Sequence, residues 1–454
     1  MNWDVHPGDE MARDLAAMVE ARHTRAGSTK GHQLRIVILA HGHPDYSTGG
    51  GQITAYALYR AFAAESPDKT HLVSWIPLSR APLHSAGHVT RLRNGSHEWL
   101  FHSGPSDGFF HNAQSRQVLQ KGLVEFIVSL KPDVVHFHHF IGFGIDALSL
   151  VRLALPSVKI ILTLHEFLSI CSRDGQMITH PEDKLCSAAS PLRCSGCFPQ
   201  FFRSHFALRE MWFKRHFRLV DGFIAPSEFL KERYVAWGLP DEKIRVIENA
   251  QACTMLPKPK PASDESSLYR TFSFFGQMNR YKGLDVLFGA AKLLREKIDR
   301  GELDIIPRIL VYGTMIEQAE DFQSRMTASW KDLAGIIEYC GPYEMNEVMS
   351  LMSASGWVLV PSIWWENSPL VIEEAFHSER PVICSNIGGM KEKVTDEVNG
   401  LHFRVRDPHD LSRVLERCLR EPDLWHQLRQ SVRRLPSLHE SAAQHRAYYQ
   451  EAGE

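Results

Sequence analysis

The feature that most constrains the fold is an unbroken apolar run followed closely by the signals that start a helix. Residues 357–360 read Trp-Val-Leu-Val, which is typical of a strand buried on both faces of a parallel sheet. Ser368 and Pro369 then form an N-cap and first-turn proline pair, so we predict a helix from Pro369 to about His377. A strand, a loop and a helix in this order indicate one unit of an α/β sheet.

The loop between this strand and this helix carries residues suited to a polar ligand. The backbone N–H group of Leu370 would be free at the carboxyl end of the strand, where open α/β sheets bind ligands. Glu366 lies in the loop, and Glu374 lies eight residues later, on the same side of the helix as Leu370. Because a carboxylate accepts hydrogen bonds from two hydroxyl groups, the pair suits a ligand with a central phosphate and hydroxyls at both ends. Two solvated surface glutamates are the alternative.

The same pattern recurs along the chain. Residues 36–39 form another apolar run, followed by a glycine triplet at 49–51 and a predicted helix at 52–62. The triplet allows close backbone approach to a ligand, or it is a flexible connection. Further strands with their turns are predicted at residues 134–138, 158–163, 221–227, 244–249, 273–275, 309–312 and 382–385, and a further helix at 284–298. The chain therefore predicts two doubly wound α/β domains.

Length and charge exclude several classes of protein. The 454-residue chain is too long for one ordinary hydrophobic core, which favours two domains. Its net charge of −2, with both signs well mixed, gives no electrostatic footprint for nucleic acid. No apolar stretch reaches the roughly 18 residues of a membrane-spanning helix, and the N-terminus lacks the basic and apolar regions of a secretory signal. We therefore expect a cytoplasmic protein without a transmembrane helix.

Several motifs, in order along the chain, together resemble those of the family-4 glycosyltransferases. The motifs are the Glu366 and Glu374 pair and the segments 49–51, 132–136, 163–166, 274–283, 380–392 and 399–401. The resemblance implies the GT-B fold, in which two Rossmann-like domains enclose a cleft. It also implies a retaining, hexosyltransferase-type enzyme that moves a sugar from a nucleotide-diphosphate donor to a glycan or lipid-linked acceptor, in surface polysaccharide or glycoconjugate synthesis. A non-catalytic nucleotide-sugar sensor and a nucleotide-sugar epimerase of the same fold are the alternatives.

The resemblance and the local composition together divide the chain. Residues 33–256 are expected to form the acceptor domain and residues 269–440 the donor domain, with the helix at 441–454 packing back on the first. Between the domains, residues 257–268 are rich in proline, serine and charge, which predicts a linker. Residues 1–32 are polar and form an N-terminal extension.

The resemblance also implies which residues hold the donor. Glu366 would bind the donor sugar and Glu374 the ribose. Lys282 and Arg280 would hold the diphosphate together with the Leu370 amide, since cations and N–H donors stabilise the charge of the leaving group. The remaining expected donor-binding residues are Gly50, Gly51, Gln277, Asn367, Ser368, Pro369, Gly388 and Gly389.

A histidine is expected on the opposite side of the cleft. His165 directly follows a predicted strand, which places it at a carboxyl strand end. The resemblance implies that His165 and Glu366 are the catalytic residues, with His165 orienting the donor sugar. Gln277 stands where many family members have an arginine, so either Arg280 supplies the missing charge or the site has one cation fewer. No Asp-x-Asp motif occurs, so we expect the reaction to need no metal or other cofactor.

Two groups of residues suggest metal binding. The first is His136, His138 and His139, which we predict not to bind a metal because no acidic or cysteine partner is identifiable nearby. The second contains four of the eight cysteines within 27 residues and includes a Cys-x2-Cys knuckle. Its members are Cys171, Cys186, Cys194 and Cys197. In a cytosolic protein this spacing suggests a structural zinc, and four unrelated thiols are the alternative.

Residues 201–218 suggest contact with a membrane surface. They contain five basic residues, six aromatic residues and one acid, which suits a helix lying on anionic lipid. The apolar positions that could instead face the core of the first domain are Phe202, Phe206, Leu208 or Arg209, Phe213 and Phe217. Core packing is the more usual role of such a stripe.

Overall fold

The computed structural model describes residues 33–47, 49–80, 86–93, 96–249, 265–315 and 320–453. The N-terminal extension and most of the predicted linker lie outside these residues. The first-half strands are β1 Ile36–Ala40, β2 Thr70–Pro77, β3 Val89–Arg91, β4 Glu98–Ser103, β5 Val134–Phe137, β6 Lys159–Thr163, β7 Gly222–Ala225 and β8 Ile244–Val246. The second-half strands are β9 Thr271–Phe275, β10 Arg308–Tyr312, β11 Ile337–Gly341, β12 Trp357–Val360, β13 Val382–Ser385 and β14 Gly400–Phe403.

Helices connect most of these strands. In the first half they are α1 Gly50–Glu65, α2 Arg116–Val118, α3 Glu125–Leu130, α4 Asp146–Ala154, α5 Pro191–Cys197, α6 Arg203–Phe217 and α7 Glu228–Trp237, with π-helical Leu119–Val124 between α2 and α3. In the second half they are α8 Leu284–Asp299, α9 Glu320–Asp332, α10 Val348–Ser353, α11 Leu370–His377, α12 Gly388–Lys393, α13 Pro408–Arg420, α14 Pro422–Gln430 and α15 Leu438–Glu451. Within the described part of the chain, no helix is long and apolar enough to cross a membrane.

The first sheet has the strand order β3-β4-β2-β1-β5-β6-β7-β8. All neighbouring strands are parallel except β3 and β4. All five residues of β1 are buried, as expected for a central parallel strand that is covered on both faces. The chain leaves β1 towards β2 on one side and reaches β5 on the other, so the carboxyl ends of β1 and β5 border a crevice.

The second sheet repeats this design with the order β11-β10-β9-β12-β13-β14, and its neighbouring strands are all parallel. Here β9 lies between β10 and β12, so the loops after β9 and β12 meet at the reversal of strand order. The predicted α/β fold with two Rossmann-like sheets is confirmed. The predicted ends of β12 and β13 agree with the structure to the residue.

The last helix, α15, packs against the first sheet although it follows the second in sequence. Ala442 and Tyr449 are buried in the core between α1 and the first sheet. The Tyr449 hydroxyl lies 2.7 Å from Nδ1 of His136, whose Nε2 lies 2.7 Å from the Thr163 hydroxyl. Both ring nitrogens of His136 are therefore used in hydrogen bonds within the fold, one to α15 and one to β6.

Two predicted helix starts were wrong by one or two residues. Helix α1 begins at Gly50, so Gly50 and Gly51 belong to its first turn and not to a preceding loop. Helix α11 begins at Leu370, with Pro369 as the extended residue in front of it and no side-chain cap from Ser368. Strands with polar residues or glycine among the apolar ones, such as β2 and β14, were not predicted because their sequences lack an unbroken apolar run.

Candidate functional site

The N-termini of two helices face each other between the two sheets. A Cβ atom on Gly50 in α1 would lie 3.7 Å from Cδ1 of Leu370 in α11, so these helix starts are close neighbours. A Cβ atom on Gly51 would lie only 2.8 Å from Cε1 of His41, so a side chain there would displace the histidine. Because the N-terminal ends of helices carry unpaired N–H groups and partial positive charge, the space between them attracts an anion.

Glu366 lies beside this space as a buried carboxylate with three donors. Its Oε1 accepts hydrogen bonds from Nζ of Lys282 at 2.6 Å, from the Ser362 hydroxyl at 2.8 Å and from Nε1 of Trp364 at 2.9 Å. Burial alone would raise the pKa of Glu366, but the Lys282 ammonium and the other donors outweigh burial and lower it. Glu366 is therefore charged at neutral pH, and its geometry is fixed before any ligand binds.

Close backbone contacts hold the loops that carry these residues. Gly283 has φ +76°, and a Cβ atom there would lie 1.8 Å from the carbonyl oxygen of Pro361, so the loops after β9 and β12 touch where only glycine fits. Gly389 packs in the same way on the carbonyl oxygen of Asn367, at 1.8 Å from its Cβ position, and its N–H donates to the Glu366 carbonyl at 2.7 Å. Gly388 and Gly389 thus fix the loop that presents Glu366.

Glu374 differs from Glu366 because nothing in the described protein hydrogen-bonds to its carboxylate. The side chain is half-buried on α11, one turn after Leu370. Burial raises the pKa of Glu374 to about 7. The Ser368 hydroxyl and Oδ1 of Asn367 are also buried without a partner among the described residues. Buried acceptors without partners are uncommon in folded proteins and are what a binding site leaves open for its ligand.

The first domain contributes a wall of uncharged side chains. His165 lies directly after β6, with its Nε2 3.1 Å from Nδ1 of His138, and its carbonyl oxygen accepts from Nδ2 of Asn367 at 3.0 Å. Burial, together with the nearby His139 and His41, lowers the pKa of His165 well below the ordinary value. His165 is therefore neutral at pH 7 and can orient a hydroxyl group, but it does not supply charge.

The expectation that the His136, His138 and His139 group has no acidic partner was wrong. The Ile141 N–H donates to Nδ1 of His139 at 2.9 Å, so the proton is on Nε2, which donates to Oε1 of Glu166 at 3.0 Å. Burial raises the pKa of Glu166 to about 8. Even so, no three His, Cys, Asp or Glu side chains in the described chain could hold a metal ion together.

The structure gives Arg280 a different partner from the one expected. Its guanidinium forms an ion pair with Asp183 of the first domain. Asp183 also binds Nη1 of Arg173 at 3.0 Å, and Nη2 of Arg173 donates to the Tyr281 hydroxyl at 3.1 Å. Arg280 therefore links the two domains. Gln277, at the position of the family arginine, is exposed.

The four cysteines of the zinc hypothesis lie in the segment that carries Asp183. All four are half-buried free thiols, and none belongs to a group in the described residues that could hold a metal. The carbonyl oxygen of Cys186 accepts from Nε1 of Trp365 at 3.0 Å, so this segment also contacts the loop next to Glu366. The zinc hypothesis rests on the sequence spacing alone and stays a prediction.

Sequence reasoning missed several residues that shape the site. Ser362 and Trp364 stand within the motif that was singled out, and a search for donors near Glu366 would have found them. Asp183 gave no signal, and Glu392 ends the motif 380–392 without an assigned role, because each acts on a distant part of the chain. The Glu392 carboxylate accepts from the N–H groups of Glu228 and Phe229, each at 2.9 Å, and thereby caps α7 from the other domain.

Comparisons with known proteins agree with this architecture. The family model described as Glycosyltransferase Family 4 matches residues 48–250, and the model described as Glycosyl transferases group 1 matches residues 260–435. Among curated relatives, D-inositol 3-phosphate glycosyltransferase of Paenarthrobacter aurescens is 29% identical over 168 residues, which are 37% of this chain and 38% of that protein. The chain thus spans little more than a third of the length of the curated relatives it matches first.

Solved structures match over most of the chain. Anabaena Alr3699/HepE, in complex with UDP, aligns with a TM-score of 0.64 and 15% identity over 92% of this chain and 100% of its own. Sucrose-phosphate synthase from Thermosynechococcus elongatus aligns with a TM-score of 0.62 and 18% identity, over 92% and 98% of the two chains. At these identities the likeness shows a shared fold, which is the GT-B arrangement of two Rossmann-like domains.

Proposed function

Because this chain belongs to the family-4 glycosyltransferases, we propose that it transfers a sugar from a nucleoside-diphosphate sugar to a glycan or lipid-linked acceptor. The observation that supports this best is the unequal pair of carboxylates beside two facing helix N-termini. Glu366 is charged and held by Lys282, whereas Glu374 has no partner among the described residues. A ligand with a diphosphate between two hydroxyl-bearing sugars matches this order of groups.

In this proposal each group has one task. The starts of α1 and α11 and the ammonium of Lys282 stabilise the negative charge that develops on the departing diphosphate. Glu366 accepts a hydroxyl of the donor sugar, and Glu374 accepts the ribose hydroxyls. His165 orients the donor sugar from the first domain. Closure of the two walls around the donor also restricts water, which would otherwise compete with the acceptor.

The proposed reaction proceeds with retention of configuration. The bond from the anomeric carbon to the phosphate oxygen breaks, and the acceptor oxygen bonds to that carbon on the same face. The acceptor proton passes to the departing phosphate oxygen, which gives a glycoside and a nucleoside diphosphate. In this proposal neither Glu366, which is bound to Lys282, nor Glu374, which is assigned to the ribose, acts as a covalent nucleophile. Proton NMR of the anomeric coupling in the product tests this, and an inverted product contradicts it.

A panel of nucleotide sugars tests the function itself. UDP-sugars come first, because the structural neighbour from Anabaena was solved with UDP. We expect purified protein to release the nucleoside diphosphate slowly by hydrolysis and faster when a glycan or lipid-linked acceptor is present. Binding without release would indicate a sensor, and conversion of the sugar without an acceptor would indicate an epimerase. Either result contradicts the proposal.

We place this activity in the cytoplasm, at the inner face of the cytoplasmic membrane, in surface polysaccharide or glycoconjugate synthesis. A lipid-linked acceptor would be presented there, and the basic and aromatic composition of residues 201–218 suits such a surface.

A structural zinc on the four-cysteine segment is a separate proposal. Elemental analysis of protein purified without chelators should give about one zinc per chain, and its absence would remove the proposal.

A further inference from the structure

One surface of the first domain concentrates exposed apolar side chains. Of the ten large apolar residues most exposed in the described chain, four lie on α5 and α6 or directly before α6. They are Leu192 (59% exposed), Phe202 (77%), Leu208 (56%) and Met211 (67%). A cluster of this kind on a soluble domain indicates an interaction site, whereas single exposed apolar residues do not.

The other side of α6 fixes which face points outward. Phe206 and Phe213 are buried, and so is Arg209 between them. Nε of Arg209 donates to the Phe109 carbonyl at 2.8 Å, and its Nη1 donates to the Ser169 carbonyl at 2.7 Å. Because a buried arginine that loses these acceptors would be strongly unfavourable, the helix cannot rotate to bury its outer face. Phe206, Phe213 and Phe217 thus confirm the core-packing interpretation, as does Arg209 of the alternatives Leu208 and Arg209, whereas the interpretation was wrong for Phe202.

The outer face is also basic. Arg203, Arg215 and Arg218 are exposed, and none forms an ion pair with a described residue. The one acid of α6, Glu210, is neutralised by Lys214 at 2.5 Å. Leu208, Met211, Arg215 and Arg218 follow the spacing of a single helical face, and Phe202 and Arg203 are exposed where the helix begins. We call Phe202, Leu208, Met211, Arg203, Arg215 and Arg218 the α6 face.

We propose that the α6 face docks on an anionic lipid bilayer and thereby holds the cleft at the surface that presents a lipid-linked acceptor; in naming that acceptor the inference rests on the proposed function. Apolar side chains at the start of the helix insert between lipids, while the three arginines contact the headgroups. Through Phe201, the face adjoins a loop at the carboxyl edge of the first sheet, which is the edge that borders the cleft. Phe201, next to Phe202, stacks on Phe109 with ring centroids 4.5 Å apart, and Phe109 lies in the loop at the carboxyl end of β4.

Vesicle flotation tests the docking directly. Full-length protein is mixed with vesicles of neutral phosphatidylcholine, or with vesicles in which about a third of the lipid is anionic phosphatidylglycerol. We expect flotation with the anionic vesicles only, and less of it as salt is raised. Replacement of Arg203, Arg215 and Arg218 by Gln should weaken binding by roughly fivefold for each charge removed. The triple change Phe202→Ser, Leu208→Ser and Met211→Ser should weaken it at least about tenfold.

A matched variant separates this face from apolar exposure in general. Ile306→Ser, Met345→Ser and Val398→Ser remove three exposed apolar side chains from the second domain and should leave flotation unchanged. Equal flotation of the wild type and the α6-face variants, or no flotation of the wild type at low salt, would overturn the proposal. A wild type that dimerises without lipid, together with α6-face variants that stay monomeric, would also overturn the proposal, because the face would then bind a second copy of the chain.

The donor assay distinguishes failure of this inference from failure of the proposed function. Hydrolysis of a nucleotide sugar in vesicle-free solution should be the same in the wild type and the α6-face variants. Normal hydrolysis without flotation contradicts the docking alone. Flotation of a protein that hydrolyses no nucleotide sugar supports the docking and contradicts the enzymatic function.

Discussion

On the two walls of the cleft, the groups around His165 and the groups around Glu366 differ in charge. On the first-domain wall, burial lowers the pKa values of His41, His138 and His165 well below the ordinary value and raises the pKa of Glu166 to about 8, so these groups are mostly neutral at pH 7. On the second-domain wall, Lys282 and Glu366 form a charged pair 2.6 Å apart. Burial favours the neutral form on both walls, and the Lys282 ammonium reverses this only for Glu366, so the difference comes from the presence or absence of a counter-charge.

In the proposed function, this difference suits the charged groups to the diphosphate and the neutral histidines to the sugar. A diphosphate needs positive charge and N–H groups, which the second domain supplies beside the start of α11. A sugar ring carries only hydroxyl groups, and neutral imidazoles can orient these without a change in net charge. Loss of a charged residue should therefore affect donor binding, and loss of a neutral one should affect turnover.

Removal of Lys282 should have the largest effect. Lys282→Ala deletes a cation beside the diphosphate and leaves Glu366 with two neutral donors and a buried charge. A charge-assisted hydrogen bond contributes about 1.5–3 kcal/mol, so donor binding or turnover should fall by roughly ten- to a hundredfold. Steady-state kinetics with varied donor measures this.

Two controls accompany the Lys282 variant. Lys184→Ala removes an exposed lysine, with 74% of its side chain accessible, and should leave donor kinetics unchanged. Circular dichroism confirms that the Lys282 variant is folded. Wild-type kinetics in a folded Lys282→Ala protein would show that the charged wall does not hold the donor.

Replacement of His165 should affect turnover more than binding. His165→Ala removes a neutral group that orients the sugar, so we expect kcat to fall by at least about tenfold while nucleoside diphosphate affinity changes little. Calorimetry with the nucleotide measures the binding, and His165→Asn should restore part of the turnover by hydrogen bonding. His439→Ala, at an exposed histidine, is the matched control. Equal losses of binding and turnover would mean that His165 only maintains the fold.

The sequence predicted the parts of this site that local patterns determine. Unbroken apolar runs predicted β12 and β13, because the burial of a strand depends on residues close in sequence. Glu366 and Glu374 lie in the motif that follows β12, so the same local pattern located them. Contacts across the cleft were not predictable. Asn367 bonds to a carbonyl 202 residues away, and Arg280 pairs with an acid 97 residues away, and no local pattern encodes such partners.

Glu374 should make donor binding depend on pH. Burial raises the pKa of Glu374 from 4.5 to about 7, so the carboxylate gains a proton as the pH falls below 7 and accepts fewer hydroxyl groups. The donor KM should rise by up to about tenfold between pH 8 and pH 6. In Glu374→Gln the KM should be high and nearly independent of pH. A parallel pH dependence in both proteins would remove Glu374 from the donor site, and Glu344→Gln, at an exposed acid, is the control.

Ionisation of Glu374 should improve donor binding as the pH rises, but it should lower the stability of the folded protein. Between about pH 4.5 and 7 the unfolded side chain is ionised while the folded one keeps its proton, so ionisation favours unfolding as the pH rises through this window. Glu374→Gln lacks this penalty. Its melting temperature relative to wild type should therefore increase from pH 4.5 to pH 8, whereas a constant difference would show that folding does not raise the pKa of Glu374.

The smallest expected effect concerns the pair that joins the two walls. Arg280 is ion-paired with Asp183 and is 54% exposed, so the pair contributes little to stability. If Arg280 exchanges Asp183 for the diphosphate when the donor binds, Asp183→Asn removes the competitor and should lower the donor KM by about two- to fivefold. Arg280→Ala should raise the KM by a similar factor, and Glu182→Gln, at an exposed neighbouring acid, should change nothing. If Asp183→Asn and Arg280→Ala both keep the wild-type KM, the pair only tethers the domains, and Lys282 is the cation that the donor uses.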